Sequence, residues 1–380
     1  MKMLNLINIL ITITVIVGCV PKKVIEDLGI ITAIGFDVGQ ENEEMILSTT
    51  VFFQFDPDVA NASQIIENEA RTLSEIKHIN NKTSMHQIVP GQLRVMVLSS
   101  EIAQTGVIRL LDYLIRNAEI PNTFHIAVAS GRANDLLKVK NYEEAPNIGA
   151  YLDKLLTNAV TNEKVVSSKM HEFLRNFYNP GRDAFVPLLN IKEDRVVIDG
   201  VGVFSNDQYV GSFPLEDIFY VRLVMEKFKS GEMTIALPNE KFQEFKSEHQ
   251  YHKETEQLYV AITQISSSTE IKLTDPNLLS FEVNINYKGN ITEVNQLLSL
   301  EDPQLIKLLE KEVEKHLVEK ITEIINQSKE LRSDIFGFGE VYEASVRKIK
   351  LNKEDWHAMM PDIKVDVKAQ VKISNYGTID

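Results

Sequence analysis

The sequence predicts an α+β protein of three domains, in which mixed β-sheets are flanked by helices. Segments that alternate or are continuously apolar, as in strands, are interspersed with segments of helical periodicity along the chain. After residue 192, two short strands joined by a turn-rich connection replace the alternating strands and helices of the preceding region. Near the C-terminus, strands precede a long helix over residues 302–330, which indicates a helix packed on an antiparallel sheet.

An N-terminal α/β domain is predicted over residues 19–192. Its strands are expected at residues 24–37, 45–55, 93–98 and 124–129. Its helices are expected at residues 68–79, 103–117, 131–139, 148–161 and 167–177. The first of these helices is predicted because Ala70, Leu73, Ile76 and Ile79 recur at helical spacing.

A small domain of one β-hairpin and one helix is predicted over residues 193–245. Strands at residues 195–204 and 208–213 are joined by Ser205-Asn206-Asp207, and these residue types favour turns. A helix is expected to begin at Pro214. The polar and charged residues 238–256 indicate a domain boundary.

A C-terminal α+β domain is predicted over residues 246–380. Its first strands are expected at residues 258–262, 271–273 and 281–287. Asp302 suits the N-cap of the long helix and Pro303 suits its first turn. The apolar stripe of this helix predicts packing on the preceding sheet, with a coiled-coil contact to a partner as the alternative. Residues 363–373 alternate strictly, which predicts a half-buried antiparallel strand.

The first eighteen residues have the pattern of a signal peptide. Lys2 precedes an apolar run over residues 4–17, which is too short to cross a membrane as a helix. Ile16-Val17-Gly18-Cys19 then matches a lipobox, in which the cysteine thiol takes a diacylglyceryl group before cleavage. The alternative is an ordinary signal peptide or an uncleaved anchor with a chance cysteine. Cys19 is the one cysteine of the chain, and the sequence predicts it as the lipid attachment site.

Composition excludes several classes of protein. With 40 basic and 54 acidic side chains, the formal charge of −14 argues against a nucleic-acid partner and against electrostatic adhesion to anionic lipid. A single cysteine excludes a disulfide framework and a cysteine-rich metal site. Attachment to a membrane is therefore expected through acyl groups on Cys19.

Motifs of catalysis and cofactor binding are not found in the sequence. No zinc-protease, nucleophile-elbow or Walker pattern occurs, and Gly337-Phe338-Gly339 lacks the third glycine of a dinucleotide loop. The segment Gly337-Phe338-Gly339 predicts a tight turn instead. The segment Asp199-Gly200-Val201-Gly202 predicts an irregularity in a strand. His249 and His252 have helical spacing for a shared metal but no completing ligands. We therefore predict no enzyme activity, catalytic residue, cofactor or metal site.

Four stretches of the chain recur in the order and spacing of a known family. They are Gly18-Cys19 with residues 26–37, residues 114–120, residues 187–189 with 198–204 and 209–211, and residues 334–340 with Trp356 and Pro361. They resemble the Ger(x)C lipoproteins, the C subunits of the GerA-type germinant receptors of endospore-forming bacteria. The chain departs from the family at Val20, where a tryptophan is common, and at Ser205, where a lysine often stands.

This resemblance implies three α+β domains and a non-enzymatic role in spore germination. Proteins of this kind stand on the outer face of the inner spore membrane beside integral-membrane A and B subunits, which are the partners expected here. Only Cys19 carries over as a functional residue. The alternative is a solute-binding lipoprotein of a transporter, which would share the signal and the lipobox. A hydrolase of the cell envelope is the third candidate function.

Overall fold

The computed structural model describes residues 25–40, 42–55, 63–142, 145–225, 231–246, 256–347 and 349–376. The predicted signal peptide at residues 1–18, the lipid site Cys19, and His249 and His252 all lie outside these ranges. The described residues form two mixed sheets flanked by helices, which confirms the predicted α+β class.

The first sheet contains nine strands in the described part of the chain. They are β1 (Leu28–Val38), β2 (Ile46–Phe53), β3 (Ser63–Ala70), β4 (Gln87–Val89), β5 (Val95–Ser99), β6 (His125–Ala129), β7 (Phe185–Lys192), β8 (Arg195–Ser205) and β9 (Gln208–Pro214). Their order is β3-β2-β1-β5-β6-β7-β8-β9, and β4 pairs with the start of β1. The strands β1, β5, β6 and β7 run parallel, while β2, β3, β8 and β9 pair antiparallel with their neighbours.

Helices cover both faces of this sheet. Its central strands β5 and β6 are therefore buried on both sides. The helices are α1 (Leu73–Thr83), α2 (Ser100–Gln104), α3 (Ile108–Arg116), α4 (Ala133–Leu137), α5 (Ile148–Thr161) and α6 (Met170–Tyr178). The apolar residues of α1, α2, α3 and α6 form one core with the sheet, and those of α4 and α5 form a second core. Each face of the sheet therefore has its own hydrophobic core.

Two helix predictions in this region differ from the structure. The helix predicted at residues 68–79 starts at Leu73, because Thr72 caps it by accepting a hydrogen bond from Glu75 N at 3.2 Å, and Ala70 ends β3. The helix predicted at residues 103–117 is divided into α2 and α3 by Gly106, whose φ is +101°. A left-handed residue cannot continue a right-handed helix, so the chain turns there.

The hairpin predicted within residues 193–245 extends the first sheet and has no sheet of its own. Its first strand, β8, pairs with β7 from Phe185↔Val203 to Lys192↔Arg195, across the predicted boundary. As predicted, a strand irregularity occurs near Gly200, where the β7–β8 register shifts by a β-bulge. The predicted helix that follows is α7 (Ile218–Met225), preceded by a 3₁₀ turn at Leu215–Asp217. The division into three domains stays a prediction.

The second sheet contains β10 (Glu232–Pro238), β11 (Gln257–Asp275), β12 (Ser280–Val294) and β13 (Lys364–Tyr376), in that order. The long helix is α8 (Pro303–Glu330), and Asp302 caps it by accepting a hydrogen bond from Gln304 N at 2.8 Å. Its buried stripe joins the core of this sheet; the stripe includes Leu305, Leu309, Val313, Leu317, Ile321 and Ile324. The predicted packing of the long helix on a sheet is therefore confirmed.

The last strand was predicted to be antiparallel, and this is wrong. β13 pairs parallel with β12, from Ser280↔Lys364 to Ile291↔Tyr376. The chain leaves β12, crosses the sheet through α8, and returns through α9 (Phe338–Ser345) and α10 (Lys353–Met359). A helical crossover of this kind returns the chain in the same direction. The observed alternation reflects half-burial alone, which both strand directions allow.

His125, at the start of β6, provides a pH-dependent test of the first sheet. It is 1% exposed, and its ring nitrogens contact the hydroxyls of Ser168 at 3.2 Å and Thr157 at 3.3 Å. Burial lowers the pKa of His125 from 6.5 to about 4, with Lys169 adding to the effect. Between these values the unfolded chain binds more protons than the folded one, so stability rises with pH through this window and is lost as the pH falls.

We therefore expect the wild type to lose roughly 3 kcal/mol more than His125→Gln in free energy of unfolding between pH 7 and pH 4. Urea unfolding at both pH values measures this difference. An identical loss of stability in the two proteins would contradict the lowered pKa of His125.

Candidate functional site

The predicted lipid site at Cys19 lies outside the described residues, and its chemistry stays a prediction. In the ranges that the structure describes, no helix has the length and apolar character needed to cross a membrane. Within those same ranges, no three His, Cys, Asp or Glu side chains are grouped so as to hold a metal ion.

A buried cluster of polar side chains links the two sheets. We call it the junction cluster, and define it as Asp183, Asp334, Lys353, Trp356 and His357. Asp183 precedes β7 of the first sheet, and the other four residues belong to the segment between α8 and β13. Asp183 and Asp334 are both fully buried. Buried carboxylates are costly unless their oxygens receive hydrogen bonds, so their partners define the site.

The Asp183 carboxylate links three separate segments of the chain. Its Oδ2 accepts hydrogen bonds from Asp334 N at 2.8 Å and His357 Nε2 at 2.7 Å. Its Oδ1 accepts from Asn206 N, in the β8–β9 turn, at 3.2 Å, and lies 3.3 Å from Lys353 Nζ. The backbone N–H of Asp183 donates to Asp334 O at 2.8 Å. One side chain thus connects the hairpin of the first sheet to the C-terminal segment.

The Asp334 carboxylate organises the turn that follows it. Its Oδ1 accepts from Gly337 N at 2.7 Å and Phe338 N at 3.1 Å, and its Oδ2 accepts from Gly339 N at 2.8 Å. Trp356 Nε1 donates to the same Oδ2 at 2.9 Å. The amides at the start of α9 are therefore occupied by a carboxylate of the chain itself. Gly337 has a φ of +84°, in agreement with the predicted tight turn.

Lys353 provides the positive charge of the cluster. Its ammonium donates to the carbonyl oxygens of Asn176 at 2.9 Å, Phe177 at 2.8 Å and Arg182 at 3.0 Å. Burial lowers its pKa, and the neighbouring Asp183 opposes this shift. Burial also raises the pKa of Asp334 to about 6, while the donors of Gly339, Phe338 and Gly337 favour the carboxylate. All four partners of the Asp334 side-chain oxygens are N–H donors, which suits the carboxylate form.

Gly181 and Gly339 allow two backbone segments, the one before Asp183 and the one after Asp334, to touch beside the cluster. A Cβ on Gly339 would lie 2.5 Å from Gly181 Cα and 2.8 Å from the Trp356 ring. A Cβ on Gly181 would overlap the backbone of Gly339 and Glu340. Glu340 N donates to Gly181 O at 3.2 Å, and the Glu340 carboxylate accepts from Asn179 Nδ2 at 2.5 Å. The contact therefore requires glycine at both positions.

Ser205, His357 and Asp183 form a chain of contacts that superficially matches a nucleophilic triad. His357 Nδ1 lies 3.4 Å from Ser205 Oγ, a long distance for a hydrogen bond. Ser205 Oγ donates to Arg332 O at 2.8 Å, so its proton is directed away from the histidine. Asp183 is shared with Asp334, Lys353 and Asn206. The arrangement is suited to fixing the segments around residues 183, 205 and 332, and not to activating a hydroxyl.

Sequence reasoning missed Asp183, Lys353 and His357 as members of a site, although Gly337-Phe338-Gly339 and Trp356 were recognised as motif residues. The one local signal for Asp183 is the glycine-containing segment Asn179-Pro180-Gly181-Arg182-Asp183. Its partners Asp334 and His357 follow 151 and 174 residues later in the chain, beyond the reach of any local spacing rule.

Comparison with known proteins identifies two family models that together span most of the chain. Residues 21–191 match the spore germination protein N-terminal domain, and residues 199–377 match the spore germination B3/GerAC-like C-terminal domain. The chain is 24% identical to spore germination protein GerQC of Bacillus cereus, over 96% of each chain. It is 21% identical to spore germination protein KC of Bacillus subtilis (strain 168), over 99% of this chain and 96% of that protein.

The fold is also similar to a solved structure, the crystal structure of the GerBC protein. The TM-score is 0.52 at 16% identity, and the alignment covers 90% of this chain and 97% of the other. Asp183 lies in the segment matched by the first family model, and the other junction residues lie in the segment matched by the second. The chain belongs to the Ger(x)C family of spore germination proteins, the C subunits of germinant receptors.

Proposed function

We propose that this protein is the lipid-anchored C subunit of a nutrient germinant receptor. The observation that carries the proposal is the family match along both halves of the chain, residues 21–191 and 199–377. The lipobox Ile16-Val17-Gly18-Cys19 supports an anchor at Cys19. Two or three acyl chains would hold the protein firmly at a membrane, whereas one chain binds only marginally. The expected location is the outer face of the inner spore membrane.

The proposed partners are the integral-membrane A and B subunits of the receptor. Confinement to the membrane raises the effective concentration of the described domains beside any membrane-embedded partner. The junction cluster supports a role in protein–protein contact, since it joins the two sheets through buried hydrogen bonds and so presents their surfaces in a fixed relation. We propose no catalytic step and no cofactor.

Replacement of Cys19 by alanine tests the anchor. We expect Cys19→Ala to move the protein from the membrane fraction to the soluble fraction and to abolish labelling by a fatty-acid analogue, because the thiol that takes the lipid is gone. Lys23→Ala, outside the lipobox, is the matched control and should behave as the wild type. Membrane retention of Cys19→Ala, with no label on the wild type, would refute the proposal.

A further inference from the structure

Three large apolar side chains are exposed around one end of the first sheet. Met85 is 97% exposed, Ile25 is 48% exposed and Phe55 is 44% exposed. Met85 lies in the segment between α1 and β4, Ile25 begins the 3₁₀ turn Ile25–Asp27 that precedes β1, and Phe55 follows β2. Single exposed apolar residues are ordinary, whereas a group at one location indicates a contact surface. We call these three residues the apolar rim.

The strand pairing places the three residues at the same end of the sheet. β1 and β4 are parallel, with Leu28 opposite Gln87, so the residues that precede both strands leave at one end. β2 is antiparallel to β1, with Phe53 opposite Ile30, so the residues that follow β2 leave at that end as well. The rings of Phe53 and Phe55 are in edge contact at 4.8 Å, and Phe52 contacts His86 beside Met85.

The chain between this end and the predicted anchor is short. Ile25 follows Cys19 by six residues. Even fully extended, six residues span at most about 20 Å, which is less than the length of β1 along its own axis. If Cys19 carries acyl chains in the membrane, Ile25 is within that distance of the lipid surface, and Met85 and Phe55 leave neighbouring strands at the same end of the sheet.

From this we infer that the apolar rim rests in the lipid surface, with Met85 inserted among the lipids as a second contact beside the acyl anchor. The inference rests on the proposed lipid anchor at Cys19. In the sequence, Lys22 and Lys23 precede Ile25 and are offset by Glu26 and Asp27, which follow it, and the chain carries a net charge of −14, so attraction to anionic lipid does not drive the contact. The contact is apolar, and it should form equally on neutral and on anionic membranes.

The contact also sets the orientation of the first sheet. Its parallel strands run away from the membrane, since β1 starts at the rim and ends at Val38 about 33 Å away along the strand. β7 runs in the same direction, so Ile191 near its C-terminal end lies at the opposite end of the sheet. Ile191 is apolar and 39% exposed, which makes it a matched control for Met85.

The composition of the chain permits a direct test with a single fluorescent probe. Cys19 is the one cysteine, and its thiol is consumed by lipidation, so a newly introduced cysteine is the one free thiol. The lipidated full chain is prepared as Met85→Cys and as Ile191→Cys, each labelled with an environment-sensitive fluorophore. Both are reconstituted into phosphatidylcholine vesicles that contain a lipid carrying a nitroxide quencher, with and without phosphatidylglycerol.

We expect the lipid-borne quencher to act on the Met85 probe at least about twofold more strongly than on the Ile191 probe, since apolar anchors sit roughly 5–10 Å into the interface. Aqueous iodide should show the reverse order, and phosphatidylglycerol should not change either result. Equal quenching of the two probes on vesicle-bound protein would overturn the inference while leaving the lipid anchor intact. Protection of the Met85 probe in native spore membranes but not in vesicles would overturn it in favour of a protein partner. Failure of the wild type to float with vesicles would refute the anchor and the inference together.

Discussion

Asp334→Ala is expected to lower the free energy of unfolding by about 3–5 kcal/mol, the range found when one partner of a buried charged network is removed. The substitution leaves four buried donors without an acceptor, namely the amides of Gly337, Phe338 and Gly339 and the indole N–H of Trp356. Each unsatisfied buried donor costs about 1–3 kcal/mol, and relief of the repulsion between Asp334 and Asp183 offsets part of this. Urea unfolding at pH 7, followed by tryptophan fluorescence, measures the change.

Asp366→Ala is the matched control, because Asp366 is a carboxylate on the exposed face of β13, with a side chain 69% exposed and paired to Lys368. Exposed pairs contribute about 0–1 kcal/mol, so this variant should be nearly as stable as the wild type. Should Asp334→Ala fail to fold, Asp334→Asn keeps the shape of the side chain and is expected to be intermediate. Equal stability of Asp334→Ala and Asp366→Ala would contradict the role assigned to the junction cluster.

Gly181→Ala is expected to lower the free energy of unfolding by about 1–3 kcal/mol, the cost of an extra methyl group in a tightly packed place. The added Cβ would overlap the backbone of Gly339 and Glu340, and backbone atoms have less freedom to move aside than the end of a side chain. The backbone at Gly181 would have to move away from the backbone at Gly339 and Glu340. This would also lengthen the hydrogen bond from Glu340 N to Gly181 O.

Gly131→Ala is the control for this variant, since a Cβ at Gly131 meets nothing within 4 Å. Its effect should lie within about 0.5 kcal/mol of zero. Thermal unfolding of the three proteins side by side provides the comparison. If Gly181→Ala melts at the same temperature as Gly131→Ala, the close backbone contact between Gly181 and Gly339 is not important for stability.

The sequence was most informative where a single element carries its own signals. The long helix was predicted correctly because its apolar stripe, its cap Asp302 and the proline at its first turn all agree. The strand β3 was missed because Ser63–Ala70 lacks clear alternation, and Ala70 happens to continue the spacing of the helix that follows. Local periodicity alone does not show where the strand ends and the helix begins. The N-cap residue Thr72 marks that boundary.

The direction of β13 and the junction cluster depend on the route of the chain, which periodicity does not contain. Alternation at residues 363–373 reports which side chains are buried, and leaves open whether the neighbouring strand runs parallel or antiparallel. Asp183 and Asp334 are ordinary carboxylates in the sequence, and only the fold brings them together across 151 positions. The resemblance to the Ger(x)C family located the segment 334–340 because a pattern of residues in order can be recognised without knowing what they contact.

Germination of a strain that lacks this gene tests the central claim most directly. If the protein is a germinant receptor subunit, deletion should slow or block germination in one class of nutrient and leave vegetative growth unchanged, and the Asp366→Ala gene should restore germination. The measurement is the loss of optical density of purified spores after each nutrient is added. Normal germination in every nutrient, together with a growth defect tied to uptake of one solute, would contradict the account and favour a solute-binding lipoprotein.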